Sequence, residues 1–283
     1  MELNGDLRLS VPDRIRYLVQ NAKQNLSAFA RPAFQQFKGW RPPRGALESV
    51  AARTASPGRK LAEAFVVFGL PQHLQPGEIS VLEIGCGSGR ARDLLARAGY
   101  SGRYTGLDVY DRFDFEARFP DFVSEFRLLD AHEIEPEQRY DLILSNSALE
   151  HIDNDVALVD RLRQCLRPGG VQFHIVPSGA ALFAYLWHGY RQYAGGALAL
   201  RFNPAASCVF PLGGLASLAV HILWITLPEQ LGQLRLRNHF PGTYAAATKL
   251  AVALDRVFGF GAPMYVVIEH AVQEPSDASV ANT

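Results

Sequence analysis

Val81-Leu82-Glu83-Ile84-Gly85-Cys86-Gly87-Ser88-Gly89-Arg90 is the stretch whose reading decides the fold. An apolar run over 79–84 reads as a buried strand, and it passes directly into three alternate glycines. The segment that follows, GRARDLLARA at 89–98, has helical spacing. Glycines at such a strand-to-helix turn let the backbone bend sharply and let a ligand approach the main chain with no Cβ in the way. The spacing here is GxGxG, unlike the GxGxxG of dinucleotide sites, and Glu83 stands two residues before the first glycine. A carboxylate at that point repels a pyrophosphate and favours an ammonium or sulfonium group. Its bland alternative is an ion pair with a neighbouring helix.

Outward from this turn, strands are expected at 103–108, 124–130, 140–146, 171–176 and 264–272, with helices at 61–69 and 154–166. Strands alternating with helices mean βαβ units: an α/β fold with a Rossmann-like, doubly wound, mostly parallel sheet. Ligands of such sheets bind outside the carboxyl ends of the strands. Asp108 ends the second strand, 19 residues after Gly89, where an acid reaches a ribose diol. Asp130 ends the third strand, where its carboxylate can accept from an adenine amino group while Ala131 offers a backbone N–H. A lone Asp at a strand end is ordinarily a cap or turn former. Three acids at three successive strand ends instead describe a nucleoside with a cationic centre and no phosphates.

In order and spacing, VLEIGCGSG, GLD, LLDA, YDLILSNSALEHI and LRPGG resemble the class I S-adenosylmethionine-dependent methyltransferases, in particular their small-molecule (type 11-like) branch. The resemblance covers about 79–177. It implies S-adenosyl-L-methionine as cofactor, with Glu83, Gly85, Cys86, Gly87 and Gly89 around its methionine part. It further implies Asp108 and Val109 at the ribose, Asp130 and Ala131 at the adenine, and Ser145 and Asn146 at the fourth strand's edge. The family closes its sheet with two consecutive strands, the last antiparallel to the rest. Here only 264–272 fits, and 235–240 (RLRNHF) is a weak partner for it.

Methyl transfer from a sulfonium is an in-line displacement with a neutral leaving group, so the enzyme chiefly aligns the acceptor and excludes water. A hydroxyl acceptor also profits from a general base. The resemblance places His151 beside the cofactor, as that catalytic base or as a residue that orients the helix and contacts the cofactor. His174 lies inside a strand and is expected to be a hydrogen-bonded core residue. His73, His132 and His270 have no constellation around them, while His188, His221 and His239 lie in the segment that would roof the site. No metal-ligand spacing and no Ser-His-Asp order stand out, so metalloenzyme and hydrolase readings are poor.

The 283 residues hold 28 basic and 28 acidic side chains. Residues 1–60 carry 11 Lys/Arg against 4 Asp/Glu, residues 61–160 carry 8 against 19, and residues 161–283 carry 9 against 5. The acidic middle argues against a nucleic-acid surface. The basic arm could meet phosphates, lipid headgroups or the protein's own acidic middle. Cys86, Cys165 and Cys208 form no disulfide or zinc pattern. With no basic-then-apolar leader in MELNGDLRLS, a cytoplasmic location is expected, or the inner face of a membrane. The expected organisation is a basic helical arm (1–60), a cofactor-binding core (61–177), an apolar helical cap or membrane-facing insertion (178–262), a final core strand (263–273) and a disordered tail (274–283). Residues 203–228 carry no Asp, Glu, Lys or Arg, and read as a lid, an interfacial helix or a span. All three favour a small hydrophobic or lipid-linked acceptor, methylated on oxygen. The alternatives are a membrane-associated nucleoside-binding protein without catalysis and an NAD-dependent oxidoreductase.

Overall fold

The structure is a computed structural model that describes residues 3–29, 37–114, 119–257 and 259–271; the expected tail at 274–283 and the end of the 264–272 strand lie outside the described residues. Seven strands form one sheet: β1 (Glu78–Ile84), β2 (Ser101–Asp108), β3 (Phe122–Leu128), β4 (Tyr140–Asn146), β5 (Leu166–Pro177), β6 (Ser207–Leu212) and β7 (Met264–His270). Their order is β3-β2-β1-β4-β5-β7-β6, with β7 antiparallel to both neighbours and the first five strands parallel. The strand order reverses between β1 and β4, which puts the ligand crevice at their carboxyl ends.

Among the described residues, five α-helices precede β5: α1 (Val11–Phe29), α2 (Ala46–Val50), α3 (Pro57–Phe68), α4 (Ala91–Arg97) and α5 (Asp155–Gln164). The start of α3 is set by Ser56, whose side chain accepts from the Arg59 N–H, and by Pro57 in the first turn. Leu61 and Phe65 of α3 and Leu94 and Leu95 of α4 pack with Ile79 and Val81 on one face of the sheet. Leu158, Val159 and Leu162 of α5 pack with Leu82 and Ile84 on the other. The period-two alternation of β1 therefore sends Glu83 to the α3/α4 side, a carboxylate in an otherwise apolar row.

The segment expected as a helical cap departs from that reading in one important way. Residues 207–212 return to the sheet as β6, the partner that β7 needs, while 235–240 contains a helical turn and no strand. The β6 sequence, SCVFPL, is hidden in the charge-free run and contains Pro211, which a central strand would not tolerate. At the sheet edge the missing N–H costs nothing. Around β6 lie α6 (Leu182–Tyr185), α7 (Gly195–Leu198), α8 (Leu215–His221), α9 (Leu236–His239) and α10 (Pro241–Leu254). Between α8 and α9, Ile222–Leu231 forms a π-helix that contains Pro228. Residues 203–228 are thus not one helix, and no helix among the described residues is long and apolar enough to cross a membrane.

The N-terminal arm is woven into the fold. Phe37 bridges Val209 and the Lys38 N–H donates to the Val209 carbonyl at 2.9 Å, which covers the open edge of β6. Tyr17 of α1 is fully buried, and its hydroxyl donates to the His188 carbonyl at 2.7 Å.

Candidate functional site

A cavity of about 210 Å³ opens where β1 and β4 end. Its floor is Glu83, Gly85, Cys86, Gly87 and Asn146, and one wall comes from Arg59, Glu63 and Val66 of α3. The three glycines all have positive φ, yet they serve different ends. A Cβ on Gly85 would lie 2.5 Å from that of Ala148, so this glycine lets the turn after β4 close on the loop. A Cβ on Gly87 would meet nothing within 4 Å, so there the bare backbone faces open space and a side chain would fill the cradle. Beneath the loop, the buried Arg92 donates to the carbonyls of Gly89, Ser88 and Asp114 and lies 4.2 Å over the Phe113 ring. A guanidinium with fixed geometry thereby pins the loop's carbonyls.

Glu83 is 4% exposed, and the one hydrogen bond to its carboxyl among the described residues comes from the Tyr104 hydroxyl. Burial pushes its carboxyl up to about 8, against the opposing effects of Tyr104 and Arg92. A carboxyl that desolvation keeps protonated becomes charged when a cation arrives. An anionic acceptor of this kind is what a cationic, phosphate-free nucleoside requires, and the cradle fits S-adenosylmethionine. Asp108 joins the same loop: its Oδ2 accepts from the Gly87 N–H at 2.9 Å and its Oδ1 from the Tyr110 N–H at 3.0 Å. It stands at the end of β2, two residues beyond Gly106, the residue paired with Glu83.

The other expected cofactor residues are placed less uniformly. Asn146 lines the cavity, but Ser145, one residue earlier, points to the opposite face. Its hydroxyl is 2.8 Å from His174 Nδ1 and fully buried, so only its backbone is left for a ligand; strand alternation allows one of two adjacent residues to face the cleft, not both. Asp130 is exposed and accepts from the His132 N–H at 2.9 Å, the helix-cap role, while Ala131 is buried in the α5-side core. Val109 is 58% exposed just past β2. His174 is a buried core residue hydrogen-bonded to Ser145 and Gln172, and burial pushes it down to about 3.

Residues of the cavity wall that the sequence reading missed are Glu63, Arg59 and Arg90. Glu63 is buried and pairs with Arg59 at 2.9 Å and Arg90 at 3.0 Å, which ties α3 to the glycine loop. The i, i+4 spacing of Arg59 and Glu63 was a visible signal, but nothing in it names the loop as the partner.

His151 sits on the turn Leu149–His151 beyond β4. Its Nδ1 lies 2.6 Å from Asp6 Oδ2, a residue of the N-terminal arm. Burial acts to lower the imidazole, but Asp6 and Glu150 outweigh it and leave His151 above its ordinary value. His188 packs edge-on against it, 4.5 Å between ring centres, and burial with His151 beside it pushes His188 down to about 4.

A family model described as a methyltransferase domain matches residues 35–219. A malonyl-[acyl-carrier protein] O-methyltransferase of Acetivibrio thermocellus is 33% identical over 95 residues, covering 33% of this chain and 34% of that protein. A mitochondrial ubiquinone biosynthesis O-methyltransferase of Dictyostelium discoideum is 27% identical over 118 residues, covering 36% of each. Each match spans about a third of the curated relative's length. The [4+2]-cyclase SpnF shares the fold, with a TM-score of 0.51 and 16% identity over 91% of this chain and 93% of that one. The cradle of Glu83 and the glycine loop, the reversed sheet order and the match over residues 35–219 agree: the chain belongs to the methyltransferase-domain family.

Proposed function

We propose that the protein methylates an oxygen of a small hydrophobic or lipid-linked acceptor. The observation that carries this reading is the Asp6–His151 hydrogen bond just beyond the cofactor cavity. The cofactor, when bound, supplies an electrophilic methyl group and a neutral leaving group. His151 takes the acceptor hydroxyl's proton as the new O–C bond forms, and Asp6 holds the imidazole in orientation. Both curated relatives quoted above are named O-methyltransferases, which supports oxygen over nitrogen.

The apolar acceptor is supported by the cap. Phe183, Leu223, Leu227, Phe240, Leu250 and Leu254 are all exposed there, and such side chains on a helical surface suit transient contact with a lipid surface. On this reading the protein works in the cytoplasm and touches the inner face of a membrane to collect its acceptor.

The test is transfer of labelled methyl from S-adenosylmethionine to three acceptor sets: alkylated phenols and catechols, polar carboxylic acids, and amines. The expected product is an O-methyl ether of the first set. Transfer confined to carboxylates or amines overturns the reading. Binding of S-adenosylmethionine and S-adenosylhomocysteine without transfer to any of them favours the non-catalytic nucleoside-binding alternative.

A further inference from the structure

Beside the cofactor cavity, three remote segments are stitched into one contact. The Gly5 N–H donates to the Gly189 carbonyl at 2.7 Å, and the Tyr190 N–H donates to the Glu150 carbonyl at 2.7 Å. Both glycines are there because the backbones nearly touch: a Cβ on Gly5 would lie 2.5 Å from the His188 nitrogen, and one on Gly189 would lie 2.4 Å from the Glu150 carbonyl oxygen. The close approach sets Asp6, Glu150, His151 and His188 together.

Two features of this cluster go beyond an ordinary ion pair. One donor atom each of Asp6, His151 and His188 lies within 4.8 Å of the others, with Asp6 Oδ2 and Oδ1 at 2.6 Å and 3.7 Å from the two Nδ1 atoms. On the far side of the imidazoles is Glu150, whose side chain is 1% exposed and whose two carboxylate oxygens make no well-formed hydrogen bond among the described residues, with only Ser147 and its own backbone N–H close by. Its Oε1 lies 4.0 Å from His151 Nε2 and 3.8 Å from His188 Nε2. A buried, unpartnered carboxylate costs about 1–3 kcal/mol or more, so it calls for a partner. An imidazole that ligates a metal through one nitrogen donates its other N–H to a carboxylate. Glu150 stands where both histidines would present that N–H.

We propose that Asp6, His151 and His188 form a site for one divalent transition cation, with Glu150 as the outer carboxylate that fixes both imidazoles. Two imidazoles and one carboxylate suit Zn²⁺ or Mn²⁺ better than Mg²⁺. Three protein ligands leave a coordination position open. The ligand side chains are 32–40% exposed, so an ion reaches them from solvent. Donors about 2.0–2.1 Å from a tetrahedral cation lie roughly 3.3 Å apart; the Asp6–His151 pair at 2.6 Å is closer than that and the Asp6–His188 pair at 3.7 Å wider, so an entering ion replaces the Asp6–His151 hydrogen bond and draws His188 inward. The sequence carries no metal spacing because the ligands come from three segments. Cation binding can be measured without the reaction, although a ligated His151 cannot also act as its base. The added role of the open position, to hold and acidify the acceptor oxygen in place of His151 acting as base, rests on the oxygen-transfer reading.

The experiment is calorimetric titration of chelator-stripped, full-length protein with Zn²⁺, Mn²⁺ and Mg²⁺, without cofactor or acceptor, and Co²⁺ absorption as a second readout. One Zn²⁺ or Mn²⁺ per chain is expected, with Mg²⁺ at least tenfold weaker. His188→Ala and the more conservative His188→Asn should each weaken binding tenfold or more and abolish the Co²⁺ spectrum of bound imidazole. S-adenosylmethionine affinity, measured on the same samples, reports that the variants are folded. No binding by the unaltered protein, or binding that both His188 variants retain, overturns the proposal. A protein that binds Zn²⁺ at this site yet methylates no hydroxyl leaves the cation site standing and removes the oxygen-transfer reading instead.

Discussion

The cofactor side and the acceptor side of this molecule are assembled by different rules. Glu83, the glycines, Asp108 and Asn146 all lie at the carboxyl ends of the adjacent parallel strands β2, β1 and β4, so each is placed by the strand it ends or follows. Asp6, Glu150, His151 and His188 come from the arm, the turn after β4 and the cap, and are held by backbone bonds between segments far apart in the chain. The first arrangement is written as a local pattern and tolerates change in the rest of the chain. The second depends on the arm, β4 and the cap meeting within hydrogen-bond distance, so a change in any one of them moves the chemistry without touching the cofactor.

Gly85→Val attacks the point where the two sides touch, since its Cβ would strike Ala148 and its φ is +67°. A β-branched residue in that conformation, with an overpacked turn, is expected to cost about 3 kcal/mol or more and to abolish cofactor binding. Calorimetry of thermal unfolding and of cofactor titration measures both. Near-normal binding would show that the two sides are less tightly joined than their contact implies.

Glu83→Gln isolates the cofactor side. Loss of the buried charge should weaken S-adenosylmethionine about 100-fold, or about 2.7 kcal/mol. In the unaltered protein affinity should rise with pH up to about 8 and then level, because the free carboxyl titrates near 8 and the cation-bound form is ionised. The steepest expected change is about tenfold per pH unit. The variant should lose this slope. The stability sign is opposite: a raised carboxyl stabilises the cofactor-free fold below its unfolded value, and that contribution fades as pH climbs toward 8. The unaltered protein should therefore lose thermal stability relative to Glu83→Gln over pH 5–8.

Asp6→Asn isolates the other side. It should cut methyl transfer by roughly 10- to 100-fold while cofactor affinity stays within twofold, since it removes a positioning carboxylate and leaves the cradle intact. A parallel loss of affinity would merge the two sides into one. Asp108→Ala is expected to do less, about a tenfold loss of cofactor affinity with the fold intact, through the freed Gly87 N–H and, if Asp108 holds the ribose, through that contact as well. Isothermal titration with S-adenosylhomocysteine checks it. Smallest of all, Leu223→Ser should shift stability by under about 0.5 kcal/mol, because the side chain is 61% exposed. It should nonetheless reduce co-sedimentation with phospholipid vesicles if the cap meets a lipid surface.

Much of the parallel sheet was legible because buried strands are short apolar runs bounded by glycine and acidic residues, and β4 is found at 140–146 as read. What escaped was β6. Its six residues, with Pro211 among them, look like the rest of the charge-free run at 203–228, and they become a strand only because β7 pairs with them from more than fifty residues away. Ser145 and Asn146 show the same limit on a smaller scale. Adjacent in sequence, they face opposite sides of the sheet, and only the register of β4 says which one lines the cavity.

By itself the sequence determined the strand–glycine–helix turn and the acids Glu83 and Asp108 on the first two strands, and through its family resemblance the cofactor class, because these depend on neighbours in the chain. Asp130, read as the end of the third strand, lies two residues past it as a helix cap. Only the tertiary structure decided that Glu83 is desolvated enough to hold its proton, that α3 walls the cavity, and that an aspartate at position 6 reaches a histidine at position 151. Burial and the meeting of distant segments are set by how the whole chain packs, and no local pattern carries them.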